Sequence, residues 1–273
     1  MRIVSLVPSV TESLFVLGLG ERVVGVTDFC IHPTQAVAAL PKLGGTKNPD
    51  IEKLAALHPD LVIANQEENT RRVVERLRGL GIEVWVTYPR RVREAAALLR
   101  ELWKLGGSPE TLTAVIEPVE RAVAEAERRR SNRPTRFFCA IWKDPWMTAG
   151  RDTYIHDLLT LCGGENIFAA HSERRYPRVT LSEVEAAAPE VILLPDEPYC
   201  FKEEDAQVLA ELAIPAARSD RIHCVDGSLV SWHGPRLLAA LPFLQALFAE
   251  EPSRPSSPSA AAASQRTPVK KTS

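Results

Sequence analysis

Cys30 and His32 stand two residues apart in Asp28-Phe29-Cys30-Ile31-His32-Pro33, and a thiolate and an imidazole so placed suit zinc, or an axial position on cobalt or iron. No second Cys/His pair at ligand spacing accompanies them, so the metal reading lacks a complete ligand set. The runs that carry nucleotide, serine-nucleophile or zinc-hydrolase chemistry, GxxxxGK[ST], GxSxG and HExxH, do not occur. Gly18-Leu19-Gly20 and Cys162-Gly163-Gly164 each follow an apolar helical run and read as helix C-caps rather than phosphate loops. His58 falls at a helix end, where the dipole accounts for it, and His156 and His223 sit inside regular elements. No nucleophile pairs with a base by spacing. What remains is a set of aromatic and polar residues suited to holding a ligand.

The elements around those residues alternate. Residues 2–7 are β-branched and apolar and Pro8 breaks them, after which Ser9-x-x-Glu12 reads as a capping box for the following helix. Val23–Val26 predicts a second strand. Asn48-Pro49 predicts the cap of a helix ending before Pro59, with a buried strand over Leu61–Ala64. A helix from Thr70 to Leu80, a strand over Glu83–Thr87 and a helix from Val92 to Leu105 complete the first half. Strands alternating with helices make a parallel sheet the economical answer. Ligands bind outside the carboxyl ends of such strands, and those ends hold Pro8 and Ser9, Asp28 to His32, Asn65 to Glu68, Trp142 to Thr148, Asp196 to Tyr199 and Ser231 to His233. Trp142, Trp146, Tyr199 and Trp232 give broad apolar walls suited to a large flat ligand such as a macrocycle.

The second half repeats the first. Leu54-Ala-Ala-Leu-His-Pro59-Asp60-Leu-Val-Ile63 and Val184-Glu-Ala-Ala-Ala-Pro189-Glu190-Val-Ile-Leu193 share one order, helix end, proline, acid, strand, and the halves open alike on Arg2-Ile-Val and Arg136-Phe-Phe. Between them Ser108–Arg130 predicts one long helix. Ser108 is its N-cap and Pro109 its first residue, with an apolar stripe of Leu112, Val115, Ile116, Val119, Val123 and Ala126, and Pro118 as the point of a kink. The expected organisation is an α/β fold of two lobes with central parallel sheets, over 1–107 and 132–250, joined by a single rigid helix over 108–131, with the ligand cleft between the lobes. Residues 251–273, rich in Pro, Ser and Ala, are expected to be disordered. At 273 residues, 45% hydrophobic and 25% charged with a formal net charge of -2, the chain has no basic field for nucleic acid and is expected to act as a monomer. No apolar run reaches the roughly 18 residues of a membrane span.

RIVSLVPSVTE, VVGVTDFC, NPDIEKLAALHPDLVIAN, LGIEV, MTAGRDTYIHDLLTLCGGENIF, YPRVTLSEVEAAAPEVILL and SWHGPRLLAAL together resemble the vitamin B12 and ferric-siderophore substrate-binding proteins of ABC importers, over about residues 2–248. Within that family the TDFC and SWHGPR segments look closest to the cobalamin binders. The resemblance implies capture of cobalamin or a related metal chelate as transported cargo, with no cofactor and no catalysis. It puts Phe29, Trp142, Met147 and Trp232 on loops that hold the corrin, with Pro8, Ser9, Cys30, His32, Asn65, Gln66, Trp146, Tyr199 and Arg236 completing the expected ligand set. Asn65 stands where the family carries an aromatic. The resemblance also implies an acidic residue on each lobe that docks onto arginines of a permease; Glu67 and Glu68 lie near the first such position and Glu211 near the second.

Two alternatives stay open at this level. A ferric-siderophore or haem carrier would use Arg151 or Arg236 to meet anionic groups. A cytosolic corrinoid-handling enzyme would use Asp28, His32 or Glu197 as acid and base. Met1-Arg2 runs directly into the first strand and the five cysteines are widely spaced, so the chain as written reads as cytoplasmic; a start lying upstream would make it periplasmic or a cell-envelope protein.

Overall fold

A computed structural model of the chain describes residues 1–129, 132–171 and 174–249. The expected disordered tail over 251–273, and Arg130 and Ser131 of the expected connecting helix, lie outside the described residues.

Two sheets carry the fold. The first holds β1 (Ile3–Ser5), β2 (Val23–Val26), β3 (Leu61–Asn65) and β4 (Val84–Thr87), all parallel in the order β2-β1-β3-β4. The second holds β5 (Thr135–Trp142), β6 (Met147–Thr148), β7 (Gly164–Asn166), β8 (Val191–Pro195) and β9 (Ile222–Val225). Its parallel part runs β7-β5-β8-β9, and β6 adds an antiparallel strand beside the far end of β5. The parallel parts of the two sheets match strand for strand.

The junctions that suggested a repeat are built alike atom by atom. A helix over Ile51–Ala56 or Leu181–Ala187 runs out through a residue with left-handed backbone, His58 (φ 47°) or Ala188 (φ 46°), just ahead of Pro59 or Pro189. The Asp60 N–H then donates to the Arg2 carbonyl and the Glu190 N–H to the Arg136 carbonyl. The carboxylates answer, accepting from the backbone N–H of Arg2 and Arg136. Each guanidinium donates to a carbonyl at the end of the preceding helix, Leu57 or Ala187. The acid after the proline therefore locks the first strand of each half to the third, and the arginine satisfies a helix-end carbonyl that would otherwise be orphaned.

Side chains alternate across both sheets, as the pleat requires. Ile3, Leu61 and Ile63 of the first sheet and Phe137, Cys139, Val191 and Leu193 of the second enter one shared core. Their neighbours Val4, Val62 and Ala64, and Phe138, Ala140, Ile192 and Leu194, face two separate outer cores.

The helix between the halves runs through Pro109–Thr111, a π-helical turn over Leu112–Ile116, and Glu117–Arg128. The Ser108 hydroxyl caps it, accepting from the Thr111 N–H, as expected. At Pro118 the helix widens just ahead of the proline. Pro118 has no N–H, and in an α-ladder its ring would meet the carbonyl four residues back; the wide turn avoids this by sending the Glu117 N–H to Leu112 O. Ile116 and Val119 are fully buried, with Val123 and Ala126 nearly so. They share the common core with Leu99 and Leu102 of the helix Val92–Trp103 in the first half and with Leu241 and Leu244 of the last helix, Leu237–Ala249. Arg100 forks onto Glu120 and Arg93 onto Glu127, fastening the connecting helix to the first half.

Two expected caps are corrected. Pro8 is the first residue of its helix and Val7 its uncapped N-cap, so Ser9 and Glu12 form no capping box; both reach to the second half instead. Asp50, not Asn48, caps Ile51–Ala56, because its carboxylate lies where the Lys53 N–H can reach it.

Truncating Ile116→Ala should lower unfolding free energy by about 2–5 kcal/mol in urea titration, since the site sits between packed elements that cannot collapse into the void. An effect near zero would mean that the helix is a surface element.

Candidate ligand cleft

The carboxyl ends of the two sheets face one another, and at those ends the described residues of the halves meet at three stations, beside the Val92 N–H that donates to Asp157. At one side the loop after β2 meets the segment after β9, with the His32 ring set edge-on to Trp232 at 5.8 Å. In the middle the helix Pro8–Val16 meets residues 233–236. Ser9 Oγ lies 3.1 Å from His233 Nδ1, and Arg236 donates to Glu12 at 2.8 Å and to Ser228 Oγ at 2.6 Å while lying over the Trp232 ring. At the other side the loops after β3 and β4 meet the loops after β6 and β7. Glu67 accepts from the Arg175 guanidinium and, at 2.6 Å, from the Tyr176 hydroxyl. The Arg175 guanidinium lies over the rings of Tyr88 and Tyr176, 5.1 and 5.5 Å away, and Arg90 pairs with Asp152 at 2.9 Å. By strand order β2 corresponds to β7 and β4 to β9. The two outer contacts, β2 with β9 and β4 with β7, are therefore counterparts under an approximate two-fold axis.

At the strand ends two large aromatic side chains stay open to solvent. Phe29 is 60% exposed and Trp142 is 43% exposed. Trp142 does not stand alone: its ring meets Tyr199 edge-on at 5.5 Å, Tyr199 meets Phe201 at 4.7 Å, and Phe201 stacks on Trp146 at 5.8 Å with 13° between the planes. Met147 pairs with Trp142 across the β5–β6 ladder and is half-buried. The structure thus brings Trp142, Tyr199 and Trp146 together through Phe201 as one ladder of aromatics behind an exposed indole, with Met147 beside it on β6. Gln66 is exposed at the end of β3.

Several residues expected in the cleft lie behind its wall. Pro8, Ser9 and Cys30 are buried because the helix after β1 and the turn after β2 pack into the core. Cys30 Sγ accepts from Thr11 Oγ1 at 3.1 Å and lies 3.2 Å from Thr27 Oγ1, and burial pushes its thiol up, away from the thiolate that a metal needs. Among the described residues no group of three or more His, Cys, Asp or Glu side chains gathers as a metal site. Asn65 is buried as a loop-builder, its amide donating to Thr87 Oγ1 and its Oδ1 accepting from the Glu67 N–H. Trp232 is only 7% exposed, covered by Arg236 and His32. Arg236 is spent on Glu12, Ser228 and Trp232.

The expected docking acids also divide. Glu67 is turned into the cleft by the Asn65 turn and held there. Glu68 is half-buried, and burial pushes its carboxyl up against the opposing pull of Lys47. Glu211 is exposed at the C-cap of the helix Glu203–Ala210. Glu197 is half-buried and pushed up by burial, with Ser231 Oγ donating to it at 3.0 Å. Sequence reasoning missed Tyr88, Arg175 and Tyr176. The carboxyl-end rule that found the other loops reaches Tyr88, the residue after β4; nothing in the sequence pairs Arg175 with Glu67.

Two α/β lobes of one topology, a single joining helix and an aromatic-lined cleft at the strand ends define a two-lobe substrate-binding protein. A family model described as periplasmic binding protein matches residues 3–222, and the chain belongs to that family. It is 29% identical over 241 residues to the vitamin B12-binding protein of Vibrio cholerae serotype O1, covering 88% of this chain and 86% of the relative. It is 29% identical over 215 residues to the vitamin B12-binding protein of Yersinia pestis, covering 78% and 76%. Among solved structures, the periplasmic vitamin B12 binding protein BtuF of Vibrio cholerae superposes with a TM-score of 0.78 at 27% identity over 90% of this chain and 96% of that one. The periplasmic heme-binding protein RhuT of Roseiflexus sp. RS-1 superposes with a TM-score of 0.77 at 27% identity, over 90% and 97%. No helix among the described residues is long and apolar enough to cross a membrane.

His233 sets a pH limit on the lobe contact. Burial beside Ser9 and Tyr154 holds its imidazole down to about 4, from an ordinary 6.5. Below pH 6.5 the unfolded chain takes up this proton and the folded one does not until about 4, so its contribution to stability is present above that window and lost as pH falls through it. Between pH 7 and 4 the unaltered protein should lose about 2–3 kcal/mol more than His233→Gln, measured by denaturant titration at each pH. Equal losses would mean that His233 titrates normally.

Proposed function

We propose that the protein captures a cobalamin-type corrinoid between its lobes and delivers it to an ABC-type importer. The observation that carries this reading is the exposed Trp142 on its aromatic ladder at the carboxyl end of β5, with Phe29 likewise exposed in the loop after β2. A flat macrocycle offers large apolar faces, and rigid aromatics cover them at little entropic cost. The vitamin B12-binding relatives, matched along most of their length, support the same ligand class. Haem is the second reading, favoured by the likeness to RhuT; its carboxylates need free cations, and Arg236 is already committed to Glu12. Capture and release make and break no covalent bond, so the role needs neither catalyst nor cofactor.

The functional division we infer is a lobe over 1–107, a connecting helix over 108–131 and a lobe over 132–250, working as a monomer. Exposed Glu211 is the acid best placed to meet a permease, since Glu67 is engaged within the cleft. An importer role puts the protein outside the cytoplasm, as the family description implies; a cytoplasmic corrinoid carrier would use the same cleft.

Cyanocobalamin titrated calorimetrically into the protein should bind one-to-one, and Trp142→Ala should weaken it about tenfold or more. Failure to bind, or an unchanged affinity in the variant, would overturn the reading. The joining helix is buried against both lobes, so scattering profiles with and without ligand should give the same radius of gyration. A clear contraction would instead reveal a hinge.

A further inference from the structure

The bridge between Glu67 and Arg175 uses only part of each side chain. Arg175 spends Nη1 on Glu67 and Nε on the Asp152 carbonyl at 2.7 Å, while its Nη2 is buried and meets no acceptor. Glu67 Oε1 takes both the Arg175 and the Tyr176 hydrogen bonds, and Oε2 accepts from no described residue. Tyr88 and Tyr176 wall the pair with their rings. An unspent cationic donor and an unspent anionic acceptor therefore sit on neighbouring side chains, one from each lobe, where a ligand entering between the lobes brings its rim. A buried N–H without an acceptor carries a desolvation cost that a bound oxygen relieves.

A primary carboxamide answers both groups at once, its oxygen accepting from Arg175 and its NH2 donating to Glu67. A carboxylate answers only the arginine and meets Glu67 with like charge. We propose that Glu67 and Arg175 form a subsite that reads a neutral primary carboxamide on the rim of the bound ligand and rejects a carboxylate there. The proposal rests on the corrinoid reading, because a corrin carries carboxamide arms around its edge whereas a haem carries carboxylates. The subsite then sorts one macrocycle from the other by charge at a single seam, where the aromatic walls would accept either.

The test uses the full chain with three kinds of probe: cyanocobalamin, its isomeric monocarboxylic acids with one arm hydrolysed, and haemin, each followed by calorimetry at neutral pH. The unaltered protein should bind the isomer hydrolysed at this seam about tenfold or more weaker than cyanocobalamin, and Glu67→Gln should abolish that difference. As an independent arm, Arg175→Gln should weaken cyanocobalamin itself about tenfold. Equal affinity for cyanocobalamin and every isomer, a difference that survives Glu67→Gln, or unchanged affinity in Arg175→Gln would each overturn the subsite and leave the corrinoid reading standing. Preference for haemin over cyanocobalamin, or binding of none of the probes, would overturn both.

Discussion

The rest of the structure depends on one apolar seam, in which the connecting helix lays Ile116, Val119, Val123 and Ala126 against the last helix of each half and thereby joins two cores into one. Each sheet gives one face to that seam and keeps the other for a private core, so neither half can shift without opening a close-packed contact. The wide turn before Pro118 serves the same end: it absorbs a residue that cannot donate, and the helix continues through Glu117–Arg128. A packed seam of this kind leaves recognition to the loops at the strand ends.

What lines it is arranged by charge being used up elsewhere. Glu12 with Arg236, and Glu67 with Arg175, cross from lobe to lobe, and the partners are largely withdrawn from solvent. Ion pairs so placed are weak sources of stability, because desolvation offsets most of their attraction. Their value is geometric, since each fixes the spacing of two loops. With Arg236 neutralised and Trp232 beneath it, the open surface belongs to Phe29 and to Trp142 on its aromatic ladder. Exposed aromatic faces of this kind suit a flat, mostly uncharged body.

Much of the architecture was legible from residue order. The proline-and-acid junction at Pro59-Asp60 recurs at Pro189-Glu190 because both solve one local problem, closing a helix and starting a parallel strand, and the structure builds them from the same hydrogen bonds. The aromatic cluster was legible in part: Trp142, Trp146 and Tyr199 lie at strand ends, and strand ends converge. Ser9 and Glu12 had the spacing of a capping box, but Pro8 at the first helical position and partners on the other lobe drew both side chains away.

The sequence by itself determined what depends on near neighbours: the alternation of strand and helix, the repeated halves, the Ser108 cap and apolar stripe of the joining helix, and which loops stand at the strand ends. Spacing along the chain fixes each of these, because hydrogen bonds and amphipathic faces repeat with the period of the element that bears them. Only the tertiary structure decided which loop residues face the opening and which stand behind it. Trp142 stays exposed and Trp232 is covered because Arg236 crosses to Glu12; Glu67 points inward because Asn65 turns it and Arg175 and Tyr176 hold it. The pairings of Arg236 with Glu12, and of Arg175 and Tyr176 with Glu67, join residues more than a hundred positions apart, and no local period records them.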